Sequence, residues 1–242
     1  MKLGEFKVLT FDVYGTLIDW ESGMIAGLRP LTDRASQHLT RDDILEAHAY
    51  YESTTQRWTP AKQYQQLLPT VYRRLAEEWG VDVTWEECAA YGKSVRQWPA
   101  FDDSAEALTY LKQYFKLVVL TNTDNLSFSG SNARLSVTFD GVYTAEDIGS
   151  YKPADRNFDY MFETLKRRGF AKVDILHVAE SMFHDHAPAN VHGLANCWIY
   201  RRHEQEGFGA TMNPGDMPKY DFQFTSMADL VAAHKAEVES DE

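Results

Sequence analysis

Four short stretches, residues 7–11, 116–120, 174–179 and 197–200, are almost continuously apolar and rich in β-branched side chains. Such runs predict strands covered on both faces, as in a parallel sheet flanked by helices. Polar residues follow the first three runs at once: Asp12, then Thr121 with Asn122, then Glu180 with Ser181. In open α/β sheets the ligand crevice lies beyond the carboxyl ends of the strands. The three polar groups are therefore expected to meet at one site.

More than 100 residues separate Asp12 from Leu120, whereas a parallel crossover needs only a dozen or so. The intervening pattern is helical. Residues 44–57 and 64–79 carry apolar positions at helical spacing, and Thr40 with Asp43 and Thr84 with Glu87 have the form of helix N-caps followed by an acid. Ser104 is expected to cap the helix leading into the second strand. The pattern predicts an α/β core of residues 1–16 and 99–242, with residues 17–98 as an inserted helical domain and Trp98 with Pro99 as the return hinge. Neither an internal repeat nor a low-complexity tract interrupts the chain.

At 242 residues the chain is long enough for a sizeable core. Its net charge of −12 argues against broad nucleic-acid binding, which needs clustered Lys and Arg. A few cations could still hold a small anion inside one cleft. The two cysteines, Cys88 and Cys197, make neither a disulfide framework nor a thiolate metal site. No apolar run approaches bilayer length, and the first one is too short for a signal peptide, so a reduced cytoplasm is expected. The acidic end, Glu237, Glu239, Asp241 and Glu242, is expected to be a solvated tail.

The strongest chemical signal is Phe11-Asp12-Val13-Tyr14-Gly15-Thr16-Leu17-Ile18-Asp19. An Asp at a strand tip before a glycine turn is open to substrate, and the backbone N–H groups of such a loop can hold an anion. The segment resembles the first motif of the haloacid dehalogenase superfamily, whose Asp is a covalent nucleophile. Thr121-Asn122, Lys152-Pro153 and Glu180 through Asp185 resemble its second, third and fourth motifs, in order. The 17–98 insert is similar to the cap domain of one large subgroup. Phosphatases of the superfamily usually place a second Asp two residues after the nucleophile, to protonate the leaving alcohol. Tyr14 stands there, and a phenol with pKa near 10 is a poor match for that step. Halide leaves without a proton, and Asp-x-Tyr-Gly-Thr resembles the signature of type II 2-haloacid dehalogenases.

The resemblance implies hydrolysis of a small 2-haloacid, without a cofactor, through an ester on Asp12. It implies Lys152, Asp185 and Thr16 as catalytic companions, with Lys152 pairing Asp12 and Asp185 positioning Lys152 or the hydrolytic water. It further implies substrate contacts at Tyr14, Thr121, Asn122 and Ser181, and a homodimer. The chain departs from that family at several points. A cap arginine normally recognises the haloacid and its halide, but the matching stretch offers only Ala47 or His48, which leaves Arg29 as the candidate. Phe158 stands where related enzymes often have Tyr, so it can only pack. Glu180 and Met182 depart from the fourth-motif pattern. Glu180 with Asp12 and Asp185 could form an oxygen-rich Mg²⁺ site, which keeps a Mg²⁺-dependent phosphatase, or another hydrolase of a small carboxylic acid, as the alternative. Trp20, Tyr51 and Trp58 are candidate apolar walls. Arg201, Arg202 and His203 are expected at a solvated edge.

Overall fold

The structure is a computed structural model and describes residues 1–241, with the side chain of Asp241 left aside. Six parallel strands form one sheet: β1 (Val8–Phe11), β2 (Lys116–Thr121), β3 (Gly141–Thr144), β4 (Ile175–Ala179), β5 (Ala195–Ile199) and β6 (Phe222–Phe224). Their order is β3-β2-β1-β4-β5-β6, so β1 is central, bonded to β2 on one side and β4 on the other. The chain reverses direction across the sheet at β1, which opens a crevice at its carboxyl end. Every residue of β1 and β4 is buried, as expected of strands covered on both faces. The sequence pattern missed β3 and β6. Both are short, and β3 begins with a half-buried pair while β6 alternates half-buried and exposed, so neither shows a continuous apolar run.

After β1 and before residue 98 come four helices: α1 (Trp20–Thr32), α2 (Arg41–Trp58), α3 (Tyr64–Glu78) and α4 (Trp85–Ser94). Thr40 with Asp43 and Thr84 with Glu87 each form a reciprocal capping box, satisfying amide donors at the first turns of α2 and α4. Along α3, Tyr64, Leu67, Leu68, Val71, Tyr72 and Leu75 recur at helical spacing and are buried, which makes this helix the core of the insert. The remaining helices are α5 (Ser104–Leu111), α6 (Asn125–Leu135), α7 (Ala145–Ile148), α8 (Asp155–Arg167), α9 (Ala187–His192) and α10 (Met227–Asp241). None of the described helices is long and apolar enough to cross a membrane.

The outgoing and returning chains of the insert are stitched together. Asp19 donates its N–H to Pro99 O at 2.8 Å, and Phe101 donates to Leu17 O at 3.1 Å. Ser104 is not the cap of α5: Asp103 holds that place, and the Ser104 hydroxyl instead donates to Leu17 O at 2.8 Å. Trp98 packs edge-on to Tyr14, at 5.9 Å between ring centres, and comes close against Gly23 of α1. The acidic tail is not wholly solvated. Glu237 accepts from the N–H groups of Leu3 and Gly4, both at 3.0 Å, because α10 folds back over the first turn of the chain; Glu242 lies outside the described residues. Cys88 and Cys197 are free and buried.

A Cβ on Gly23 would come within 2.3 Å of the Trp98 ring. Gly23→Ala gains up to about 1 kcal/mol in helix propensity but overpacks this junction, at about 1–3 kcal/mol. The expected result in urea unfolding is a lower midpoint, and a higher one would show that Trp98 is free to move.

Candidate active site

Asp12 follows the last residue of β1 and is held by that strand's own ladder, its N–H bonded to Val178 O of β4 at 3.1 Å. Gly15, at φ 97°, turns the chain back at once, a conformation that a side chain would strain. The turn brings Thr16 against the nucleophile candidate. Its hydroxyl donates to Asp12 Oδ2 at 2.7 Å and accepts from Glu180 N at 2.9 Å. Lys152, from the loop between α7 and α8, donates Nζ to Asp12 Oδ1 at 3.0 Å and to Asp185 Oδ1 at 2.6 Å. All four side chains are buried.

Two residues that sequence reasoning missed complete the arrangement. His177 of β4 places Nε2 2.8 Å from Asp185 Oδ1, and its Nδ1 lies 2.8 Å from the hydroxyl of Thr10 on β1. Thr10 and His177 are neighbours in register across the sheet. Their only trace in the sequence is a polar residue inside each of two apolar runs. Asn122 grips the backbone of Lys152 at both ends of its amide, accepting from Lys152 N at 2.6 Å and donating to Lys152 O at 3.0 Å. Asn122 thus fixes where the ammonium begins.

Burial pushes Asp12 upward, partly opposed by Lys152, and its pKa remains above the ordinary carboxylate value. Burial acts the same way on Asp185, yet Lys152 and His177 overcome it and hold this carboxyl far below the usual range. Burial would lower Lys152, but the two carboxylates reverse that and raise it. The result is a charged Lys152–Asp185 pair beside a desolvated Asp12. Asp185 Oδ2 is buried and has no hydrogen-bond partner.

These groups face a cavity of about 20 Å³, room for about one water. The α/β side supplies Asp12, Tyr14, Thr121, Asn122, Thr123, Lys152, Ser181, His184 and Asp185, and the helical insert supplies Trp20, Glu52 and Tyr64. Tyr14 lends the cavity its ring, while its hydroxyl is bonded to Ser131 Oγ at 2.7 Å and burial raises its pKa. The Thr121 hydroxyl lies 3.2 Å from that of Thr123. Ser181 caps the turn that carries His184 and Asp185, accepting from His184 N at 3.0 Å. Burial pulls the His184 ring down to about 4.

Several expectations are corrected. Arg29 is on the solvent face of α1, its side chain 77% exposed and paired with Asp33, because helical periodicity turns it away from the buried Leu28 and Leu31. Trp58 is likewise exposed, and Tyr51 packs against the core rather than the cavity; of the three aromatic candidates only Trp20 lines it. His48, at the position where an arginine was sought, is fully buried with Nε2 2.8 Å from the Tyr91 hydroxyl. Phe158 packs, as its lack of a hydroxyl requires, stacked on His192. Arg201 and Arg202 are not a solvated edge. Arg201 donates to Thr16 O and to both oxygens of Asp103, and Arg202 donates to Glu21. They tie the end of β5 to the Asp12 loop and to α1.

Glu180 does not join Asp12 and Asp185. Its side chain turns into a separate cavity of about 150 Å³ with Glu21, Arg41, Arg201 and Arg202, where burial and Glu21 push its pKa well up. The place between Asp12 and Asp185 belongs to the Lys152 ammonium. Among the described residues no three His, Cys, Asp or Glu side chains are grouped to hold a metal ion. Asp12 and Asp185, the two carboxylates that could serve a Mg²⁺ ion together with waters, are both paired with the Lys152 ammonium.

A sequence model of the haloacid dehalogenase-like hydrolases matches residues 6–179. The HAD-hydrolase YfnB of Bacillus subtilis is 22% identical over 202 residues, which cover 80% of this chain and 84% of that protein. Its magnesium-bound crystal structure superposes with a TM-score of 0.72 at 20% identity, covering 95% of this chain and 99% of that one. The L-2-haloacid dehalogenase PA0810 gives 0.74 at 20% identity, covering 96% and 99%. The L-2-haloacid dehalogenase of Xanthobacter autotrophicus with chloropropionic acid covalently bound also gives 0.74, at 18% identity, covering 95% and 98%. At these identities the structural likeness is one of fold.

Replacing Lys152 with Met leaves two carboxylates buried without their cation, and an orphaned buried charge costs about 3–5 kcal/mol. Urea unfolding at pH 7 is expected to show a loss of that order. A loss under about 1 kcal/mol would mean that the Lys152 pairing contributes little net stability. Between its folded value of about 4 and the ordinary 6.5, His184 stays neutral in the folded chain while the unfolded chain takes up a proton. Stability therefore falls as pH drops through that window. His184→Gln is expected to flatten this acid loss by about 3 kcal/mol; an unchanged slope would show that the ring titrates normally.

Proposed function

Because the chain belongs to the haloacid dehalogenase-like hydrolases, we propose that it hydrolyses a small 2-haloacid through an ester formed on Asp12. The observation that carries this reading is the pairing of a buried, doubly held Asp12 with Tyr14 at the second position beyond it. Tyr14's hydroxyl is occupied by Ser131 and its pKa is raised, so it is no proton donor for a leaving alcohol. Halide needs none. The covalent chloropropionic acid in the Xanthobacter enzyme of like fold supports the same chemistry.

Asp12 attacks the halogen-bearing carbon from the rear. The C–O bond forms as the C–X bond breaks, and the halide leaves with the electron pair. Water then attacks the Asp12 carbonyl, releasing the 2-hydroxy acid and one proton and regenerating the carboxylate. Splitting the displacement into two steps lowers each barrier. Thr16 and Lys152 fix the two oxygens of Asp12, so its approach is set before substrate arrives. Asp185, with Oδ2 free and Oδ1 pinned by Lys152 and His177, is the group placed to orient the water. Thr121 and Ser181 offer hydroxyls to the substrate carboxylate.

Residues 17–98 act as the cap. The cavity between cap and core admits about one water, so entry of even a two-carbon acid requires the cap to lift, and its return expels solvent. The interdomain movement described for YfnB supports that cycle. A Mg²⁺-dependent phosphatase is the alternative reading; against it stand Tyr14 in place of a proton-donating acid and the pairing of Asp12 and Asp185 with the Lys152 ammonium.

Halide release from chloro-, bromo- and fluoroacids, with Mg²⁺ or with a chelator, tests the reading. Release indifferent to chelator, inversion at the attacked carbon and a loss of at least about 1,000-fold in Asp12→Asn are expected. Chelator-sensitive phosphate release from phosphate esters, with no halide from any acid, would overturn it.

A further inference from the structure

The wall of the cavity facing Asp12 carries an acid. Glu52 is on α2, in the middle of a helix whose solvent face is strongly polar, yet its side chain is only 9% exposed and that remnant opens on the cavity. It is held in place by its neighbours. Gln56 Nε2 donates to Oε1 at 2.8 Å, and the Tyr64 hydroxyl touches the same carboxylate. His48 Nδ1 lies 3.3 Å from Oε2 but makes no hydrogen bond there.

The charges around the cavity can be counted. Asp12, Asp185 and Glu52 are acids, and Lys152 is the one Lys or Arg in the lining. Lys152 is already shared between Asp12 and Asp185. His184 is the remaining basic group, and its ring is neutral at pH 7. A substrate bearing only a carboxylate would add a further negative charge to a closed, desolvated site that already has an excess of them. Uncompensated charge in such surroundings is expensive. A substrate that also carries a cation would meet Glu52 directly and leave the total unchanged.

We infer that Glu52 is a specificity-determining residue that binds a protonated amino group of the substrate, so that the acid hydrolysed is a zwitterion carrying an ammonium group near the carbon attacked by Asp12. This rests on the proposed ester chemistry for its second half only, since the binding preference follows from Glu52 alone. Thr121 and Ser181 hold the carboxylate on the core side while Glu52 holds the ammonium on the cap side. The ammonium takes no part in bond breaking. It orients the carbon between the two walls.

Three unreactive ligands of matched size probe this in the full chain: propionate, alanine and propylammonium, compared by calorimetric titration at pH 7. Wild type is expected to bind alanine and propylammonium at least 10-fold more tightly than propionate. Glu52→Gln keeps the shape and can still meet Gln56 and Tyr64, and it is expected to erase that ratio and to strengthen propionate binding. Propionate as the tightest wild-type ligand, or an unchanged ratio in Glu52→Gln, would overturn the inference. The wild-type order stands even if the variant fails to fold. Halide release from simple haloacids with propionate as the best ligand would sink this inference alone. An ammonium preference with no halide released from any amino-substituted haloacid would sink the dehalogenation and leave Glu52's role intact.

Discussion

A single ammonium, Lys152 Nζ, holds Asp12 and Asp185 together across the end of the sheet, at 3.0 and 2.6 Å. Everything near the site is arranged around keeping that cation charged and in place. Asn122 fixes its backbone from β2, His177 fixes Asp185 from β4, and Thr16 fixes the far oxygen of Asp12 from the turn. Three adjacent strands, or the turns that follow them, thus each contribute a contact to the same group of charges. Two carboxylates and one lysine buried together are unfavourable unless their geometry is complete, and the sheet supplies that geometry by its register.

The same arrangement divides the labour between the two carboxylates. Asp185 has Lys152 and His177 on one oxygen and stays ionised well below the usual range; Asp12 is desolvated and pushed upward. A carboxylate stripped of water and aimed by two donors is suited to attack, and one with a free buried oxygen is suited to hold a water. From the helical side Trp20, Tyr64 and Glu52 line the same cavity. The two rings give that wall its apolar surface, and the acid gives it the group on which the inferred preference for an ammonium rests.

The sequence was most legible where local chemistry decides the outcome. Capping boxes at Thr40 and Thr84, the buried runs of β1 and β4 and the polar strand ends all follow from short-range rules, and their convergence follows from the parallel sheet. Lys152 was found only through the order of motifs, since a lysine before proline is otherwise a loop residue. His177 and Thr10 were invisible as a pair because their contact depends on strand register, which no run of residues reveals. Glu52 was overlooked for a similar reason: an acid on a polar helix ordinarily faces solvent, and only the docking of α2 on the core turns it inward. Arg29 was misplaced by the opposite error, a cation assigned to the cleft when its helix phase points it outward. Glu180 has the spacing of a metal ligand, but it lines a second cavity beside Glu21 and Arg202, which sequence distance hides.

The most direct measurement is mass spectrometry of the protein after one turnover in ¹⁸O-labelled water, with enzyme in excess of a haloacid that it hydrolyses. An ester on Asp12 requires that the first product molecule take its new oxygen from the protein, and that one heavy oxygen appear in the peptide containing Asp12. Heavy oxygen found in the first product, with the Asp12 peptide unlabelled, would mean that water attacks the substrate directly and that Asp12 is no nucleophile.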